Sequence, residues 1–150
     1  MSQFYAKRTF FNWFAGRKAI YPPSPSQIST SNRLFPTYIT RTGELHDHIL
    51  AKEPLLVNFT IMADPQCNKL TQSLFDVLSS SKLYPNDFPV NLINVSAEDL
   101  EARDMMLTYG ISHLPLVVCL KKQILHSKYV PSDLNPPLNQ EVIEWLSTLK

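Results

Sequence analysis

The sequence predicts an α/β domain, a central mixed sheet flanked by helices in the order β-α-β-α-β-α-β-β-α, and three observations carry that prediction. Residues 55–61 form an apolar run rich in β-favouring side chains, as in a strand covered on both faces. This run leads into Asp64-Pro65, a helix start: the carboxylate can accept orphan N–H groups of the first turn, and proline suits the first helical position. Strand-like and helix-like patterns then alternate, implying parallel strands, until two strand-like runs joined by the short turn Lys121-Lys122-Gln123 imply an antiparallel edge hairpin.

Taken in order, residues 37–40 are a short β-prone piece, and residues 43–52 place Leu45, Ile49 and Leu50 at helical spacing before Pro54 stops the helix. After Asp64, Leu70, Leu74, Val77 and Leu78 recur every three or four residues, so the second helix should reach about Ser80 with one apolar face. A Pro- and Asn-containing connection over 84–89 leads to a buried strand over 90–95. Ser96 is placed to cap a third helix whose first turn holds Glu98, Asp99 and Glu101, and Gly110 to close it. Residues 116–120 and 124–130 form the hairpin. Residues 131–137 are loop, and Asn139 is placed to cap a last helix carrying Val142, Trp145, Leu146 and Leu149 on one face. There is no internal repeat and no glycine-rich phosphate loop.

At 150 residues, with 44% hydrophobic and 18% charged side chains, the chain suffices for one core, expected over residues 35–150 behind an N-terminal segment, 1–34. No run approaches the roughly 18 consecutive apolar residues that a membrane span needs. Two cysteines far apart, Cys67 and Cys119, make no disulfide framework and suit a reducing compartment. The net charge of +1 hides an asymmetry: up to Gly43 there are six bases and no acid, whereas from Glu44 onward eight bases face thirteen acids, a net of −5.

Residues 1–20 combine Lys7, Arg8, Arg17 and Lys18 with Phe4, Tyr5, Phe10, Phe11, Trp13 and Phe14 and lead into a Pro/Ser-rich stretch over 22–32. Basic, hydroxyl-containing, free of acids and able to form an amphipathic helix, this segment has the composition of a mitochondrial transit peptide, and the expected location is the matrix. The plainer alternative is a basic arm. Residues 22–32 read as linker.

The β-α order, the strand running into a short turn and helix over 59–70, and the later Tyr109-Gly110-Ile111 leading to Pro115 together resemble the thioredoxin family. The resemblance covers 37–150. It places Cys67 on the second cysteine of the family's Trp-Cys-Gly-Pro-Cys turn and Pro115 on its cis-proline, beside which backbone groups are left free to pair with an extended peptide. The departures fall on the chemistry. Dithiol exchange needs an attacking thiolate at the helix start and a second cysteine to resolve the mixed disulfide. The attacking position is Asp64, the family's buried acid is matched by Asn58, and the two tryptophans flanking the turn are matched by Thr60 and Ala63.

Each conspicuous side chain also has an ordinary structural reading. Asp64 is a helix cap, and Cys67, although three residues past that cap where the helix dipole favours a thiolate, has a carboxylate neighbour that opposes ionisation. Cys119 reads as a buried strand residue, too far along its strand for a bond to Cys67, since a disulfide tolerates only about 7 Å between Cα atoms. His113 beside Asp64 suggests an acid-base or metal pair, but two candidate ligands make a poor site. His46, Asp47 and His48 read as an exposed helix face, and Met105 and Met106 as core filler or surface.

The resemblance and its departures imply a non-catalytic thioredoxin-fold protein that acts as a binding or assembly subunit. Its groove, formed by Met62, Asp64, Gln66, Cys67, His113, Leu114 and Pro115, takes a protein partner or peptide segment. Two further readings stand beside it: a monothiol redox protein using Cys67, and a structural subunit of a large mitochondrial assembly using the basic segment to hold RNA or a partner. No cofactor and no metal is expected. The −5 body argues against nucleic-acid binding by the domain itself, because phosphate recognition needs clustered Lys and Arg.

Overall fold

The computed structural model describes residues 18–134 and 138–150. The basic aromatic stretch over 1–17 and the loop residues 135–137 lie outside the described residues. The elements are β1 (Arg33–Ile39), α1 (Thr42–Ile49), β2 (Leu55–Thr60), α2 (Pro65–Ser79), β3 (Asn91–Ser96), α3 (Arg103–Thr108), β4 (Leu116–Lys121), β5 (Ile124–Tyr129) and α4 (Leu138–Ser147). The expected α/β order is the observed one.

The five strands form one mixed sheet in the order β1-β3-β2-β4-β5. β1 and β2 flank β3 and run parallel to it, while β4 runs antiparallel to β2 and β5 antiparallel to β4. The antiparallel part is thus larger than the expected hairpin. Lys122 and Gln123 form the hairpin turn in left-handed backbone, with φ of 51° and 70°, matching the twist of the flanking strands.

Alternate residues of the central strands feed two cores. Leu56, Leu92, Val117 and Cys119 pack against Leu70, Leu74, Leu78, Val142 and Leu146 of α2 and α4. Val57, Phe59, Ile93, Val95 and Val118 pack against Leu45 of α1 and Met105 of α3. Every residue of β2 and β3 is buried, which explains why neither strand shows a polar face. Each fully buried Leu, Phe or Val adds about 1.5–3 kcal/mol.

Four expectations change. β1 begins at Arg33 rather than 37. Its register on β3 shifts between Leu34 and Tyr38, and Pro36 sits in that irregularity on an edge strand, where a missing N–H is tolerated. Ser96 caps no helix: it ends β3 opposite Thr60, and the Ala97 N–H donates to the Thr60 carbonyl at 2.9 Å. The third helix is accordingly split, with a 3₁₀ turn over Leu100–Ala102 capped by Asp99 and then α3. Asn139 lies inside α4, and its side chain accepts a hydrogen bond from Ser73 Oγ, which ties α4 to α2.

The stretch 22–32, read as linker, carries hydrogen bonds to the body. Ser29 N–H donates to the Ser79 carbonyl at 2.9 Å, and Thr30 Oγ1 and Asn32 Nδ2 both donate to that of Leu78. These are orphan carbonyls at the C-terminal end of α2, a need any helix end must meet. Upstream, Tyr38 Oη donates to the Ile20 carbonyl at 2.6 Å, and Asn68 Nδ2 to that of Lys18 at 2.9 Å.

Candidate functional site

The register brings the two singled-out segments to one end of the sheet. Phe59 pairs with Leu116 across β2 and β4, so the turn that leaves β2 and the cis Leu114-Pro115 bond that enters β4 adjoin. The cis form is the one implied by the resemblance.

On the β2 side, Ala63 holds a left-handed backbone with φ of 66°, a conformation that costs a non-glycine residue about 1–2 kcal/mol. It turns the chain so that Asp64 reaches the N-cap position of α2, with Pro65 following. Asp64 Oδ2 accepts the Cys67 N–H at 2.9 Å, and its carbonyl accepts the Asn68 N–H at 2.8 Å. The Asp64 carboxylate is therefore engaged in capping, as expected from the Asp-Pro pair. The Met62 N–H is held by Glu98 Oε2 at 3.2 Å, and the other oxygen of Glu98 accepts from Ser96 Oγ at 2.8 Å. Glu98, expected to complement a helix dipole, instead pins the turn.

Cys67 is 3% exposed. Burial is the main reason its thiol is pushed above its ordinary value. The Asp64 carboxylate adds to this through a hydrogen bond and its charge, against opposing contributions from the Ile61 backbone and the Thr60 hydroxyl. The thiol is protonated at neutral pH despite its place in the first turn of a helix. Cys119 is buried opposite Leu56, and burial pushes its thiol up to about 11. Both cysteines are free.

Beneath Cys67 runs a buried polar link. Asn58 Nδ2 donates to Thr71 Oγ1 at 2.9 Å and to Asn94 Oδ1 at 3.0 Å, and Thr71 Oγ1 donates to the Cys67 carbonyl at 3.4 Å. The chain Asn94–Asn58–Thr71 joins β3 and β2 to the first turns of α2. Thr71 and Asn94 were not singled out from sequence. Their signals were a polar residue four positions after Cys67 and an asparagine inside an apolar strand.

On the other side, Pro115 is buried and Leu114 half-buried. His113 is exposed, and its Nδ1 pairs with Ser112 Oγ at 2.9 Å. No hydrogen bond joins it to Asp64 among the described residues, and no group of three metal-ligating side chains occurs among them. Gln66 is exposed, whereas Met62 and Asp64 are half-buried. His46 and Asp47 are exposed as expected, and His48 packs edge-on against Phe35 at 4.5 Å. Among the described residues no helix is long and apolar enough to cross a membrane.

No family model matches the sequence, and neither does any curated protein. Solved structures do match. A thioredoxin from Malassezia sympodialis aligns with a TM-score of 0.59 at 12% identity, over 81% of this chain and 92% of its own. Thioredoxin O2 of Arabidopsis thaliana in its oxidised state gives 0.57 at 13%, over 82% and 97%. Mitochondrial thioredoxin 3 of Saccharomyces cerevisiae, oxidised, gives 0.52 at 17%, over 76% and 94%. This strand order, the cis proline at the entry to β4 and these likenesses together show that the chain has a thioredoxin-like fold.

Proposed function

We propose that this is a non-catalytic thioredoxin-fold protein that binds a protein segment in the groove between Met62–Gln66 and His113–Pro115, and that it works in mitochondria as a binding or assembly subunit. One observation carries the reading: the attacking position is a carboxylate spent on capping α2, and the remaining thiol, Cys67, is buried and pushed toward its neutral form. Such a site has neither the nucleophile nor the thiolate that disulfide exchange requires. Recognition needs less. Neither His113 nor Leu114 makes a backbone hydrogen bond with the described residues, so their N–H and C=O groups are open to an extended peptide. The mitochondrial part is supported by the composition of residues 1–20.

Reduction of insulin disulfides tests the chemistry. The wild type should show none, while Asp64→Cys, which restores a Cys-x-x-Cys spacing, serves as the comparison. Disulfide reduction by the wild type, or a Cys67 thiol that titrates below neutral pH in alkylation, would overturn the reading in favour of monothiol redox chemistry. Cell fractionation with co-purification, with and without nuclease, tests location and partner. A nuclease-sensitive association would favour the large-assembly reading.

A further inference from the structure

A second surface lies beside the groove. Leu100 is 79% exposed and Leu107 74% exposed, seven residues apart along the 3₁₀ turn and α3. With Met106 and Ile111 they line a hollow of about 320 Å³. Large exposed leucines gathered at one concavity mark an interaction site more often than leucines scattered singly.

Charge identifies the occupant. Glu98, Asp99 and the base Arg103 also line the hollow, and Glu101 and Asp104 belong to the same stretch, which carries a net of −3 over residues 98–104. Arg41 reaches Glu101 at 3.5 Å but also Glu44 at 3.4 Å, so it neutralises the stretch only in part. The Asp104 carboxylate has no partner among the described residues. An apolar hollow on an acidic stretch is complementary to a segment that presents large apolar side chains among lysines and arginines.

We propose that the surface formed by Leu100, Met106, Leu107 and Ile111, on the acidic stretch that carries Glu98, Asp99, Glu101 and Asp104, docks a basic amphipathic segment of a protein partner. This surface is distinct from the groove at Pro115 and stands whether or not that groove binds.

The test uses the full chain labelled with ¹⁵N and a synthetic Leu/Lys amphipathic peptide about four helical turns long, beside a counterpart in which every Lys is Glu. The Lys peptide should give saturable amide shifts centred on Leu100, Arg103 and Leu107, and its affinity should fall as salt rises from roughly 50 to 500 mM. Leu100→Asp and Leu107→Asp should each weaken binding by about tenfold or more, through lost apolar burial, even though each adds a negative charge. Leu50→Asp, at a leucine 75% exposed outside the hollow, should leave affinity unchanged. These side chains are exposed, and unaltered melting temperatures would show that the variants fold. Equal binding of the Glu peptide, wild-type affinity in both α3-region variants, or shifts centred on Pro115 would each overturn the proposal. Self-association abolished by Leu107→Asp would also overturn it and assign the surface to a second copy of the chain.

Discussion

Replacing Asp64 separates the two things its carboxylate does. It accepts the Cys67 N–H at 2.9 Å, and it adds to burial in holding the Cys67 thiol neutral. Asp64→Ala removes both effects, whereas Asp64→Asn keeps an acceptor of similar capping strength and removes only the charge. Loss of a cap costs about 1 kcal/mol, within a range of roughly 0.5–2. The 130 described residues at roughly 2.1 cal/mol/K each give an unfolding entropy near 0.27 kcal/mol/K, so Asp64→Ala should melt about 4 °C below wild type. Asp64→Asn should melt within about 1 °C of it. The alkylation midpoint of Cys67 should fall in both variants, without entering the neutral range, because burial is the largest cause of its elevation. Thermal melts by circular dichroism and pH–rate profiles with iodoacetamide read the two effects separately. Equal melting temperatures for Asp64→Ala and Asp64→Asn would refute the capping role, and a midpoint that rises in Asp64→Asn would refute the electrostatic one.

Three other perturbations probe different layers. Asn58→Asp puts a carboxyl among Thr71 and Asn94 at a fully buried position. Its folded pKa should rise above the unfolded value of about 3.9, so the variant should approach wild-type stability near pH 4 and lose about 3 kcal/mol or more by neutral pH in urea denaturation. A pH-independent loss would contradict this. Cys119, with a folded value of about 11 against an ordinary 9.0, contributes stability that is present below the unfolded value and lost as pH rises through the folded one. Urea midpoints across that window should fall less steeply in Cys119→Val than in wild type. Gly110 holds φ of 65°, and an added Cβ would lie 3.1 Å from Lys128 Nζ, a flexible chain end that can move. Gly110→Ala should therefore cost about 1 kcal/mol from left-handed backbone alone, measured as a lower melting temperature.

By itself the sequence determined β2, α2 and the cap between them, because apolar periodicity, Asp at an N-cap and Pro after it act over a few residues. The end of α3 was equally local. Gly110 closes it with two carbonyl-directed bonds, Gly110 N–H to Leu107 at 3.3 Å and Ile111 N–H to Met106 at 2.8 Å. Pro115 was legible through the resemblance rather than through periodicity. The tertiary structure decided what depends on partners distant along the chain. Ser96 was drawn into the sheet by Thr60, 22–32 was recruited to the carbonyls ending α2, and Glu98 was turned toward Met62. Asn58, Thr71 and Asn94 became one buried link only when β2, β3 and α2 packed. Local propensity has no means of choosing among such partners. Burial does, since a polar group taken out of water must find a hydrogen bond wherever the fold brings one within reach.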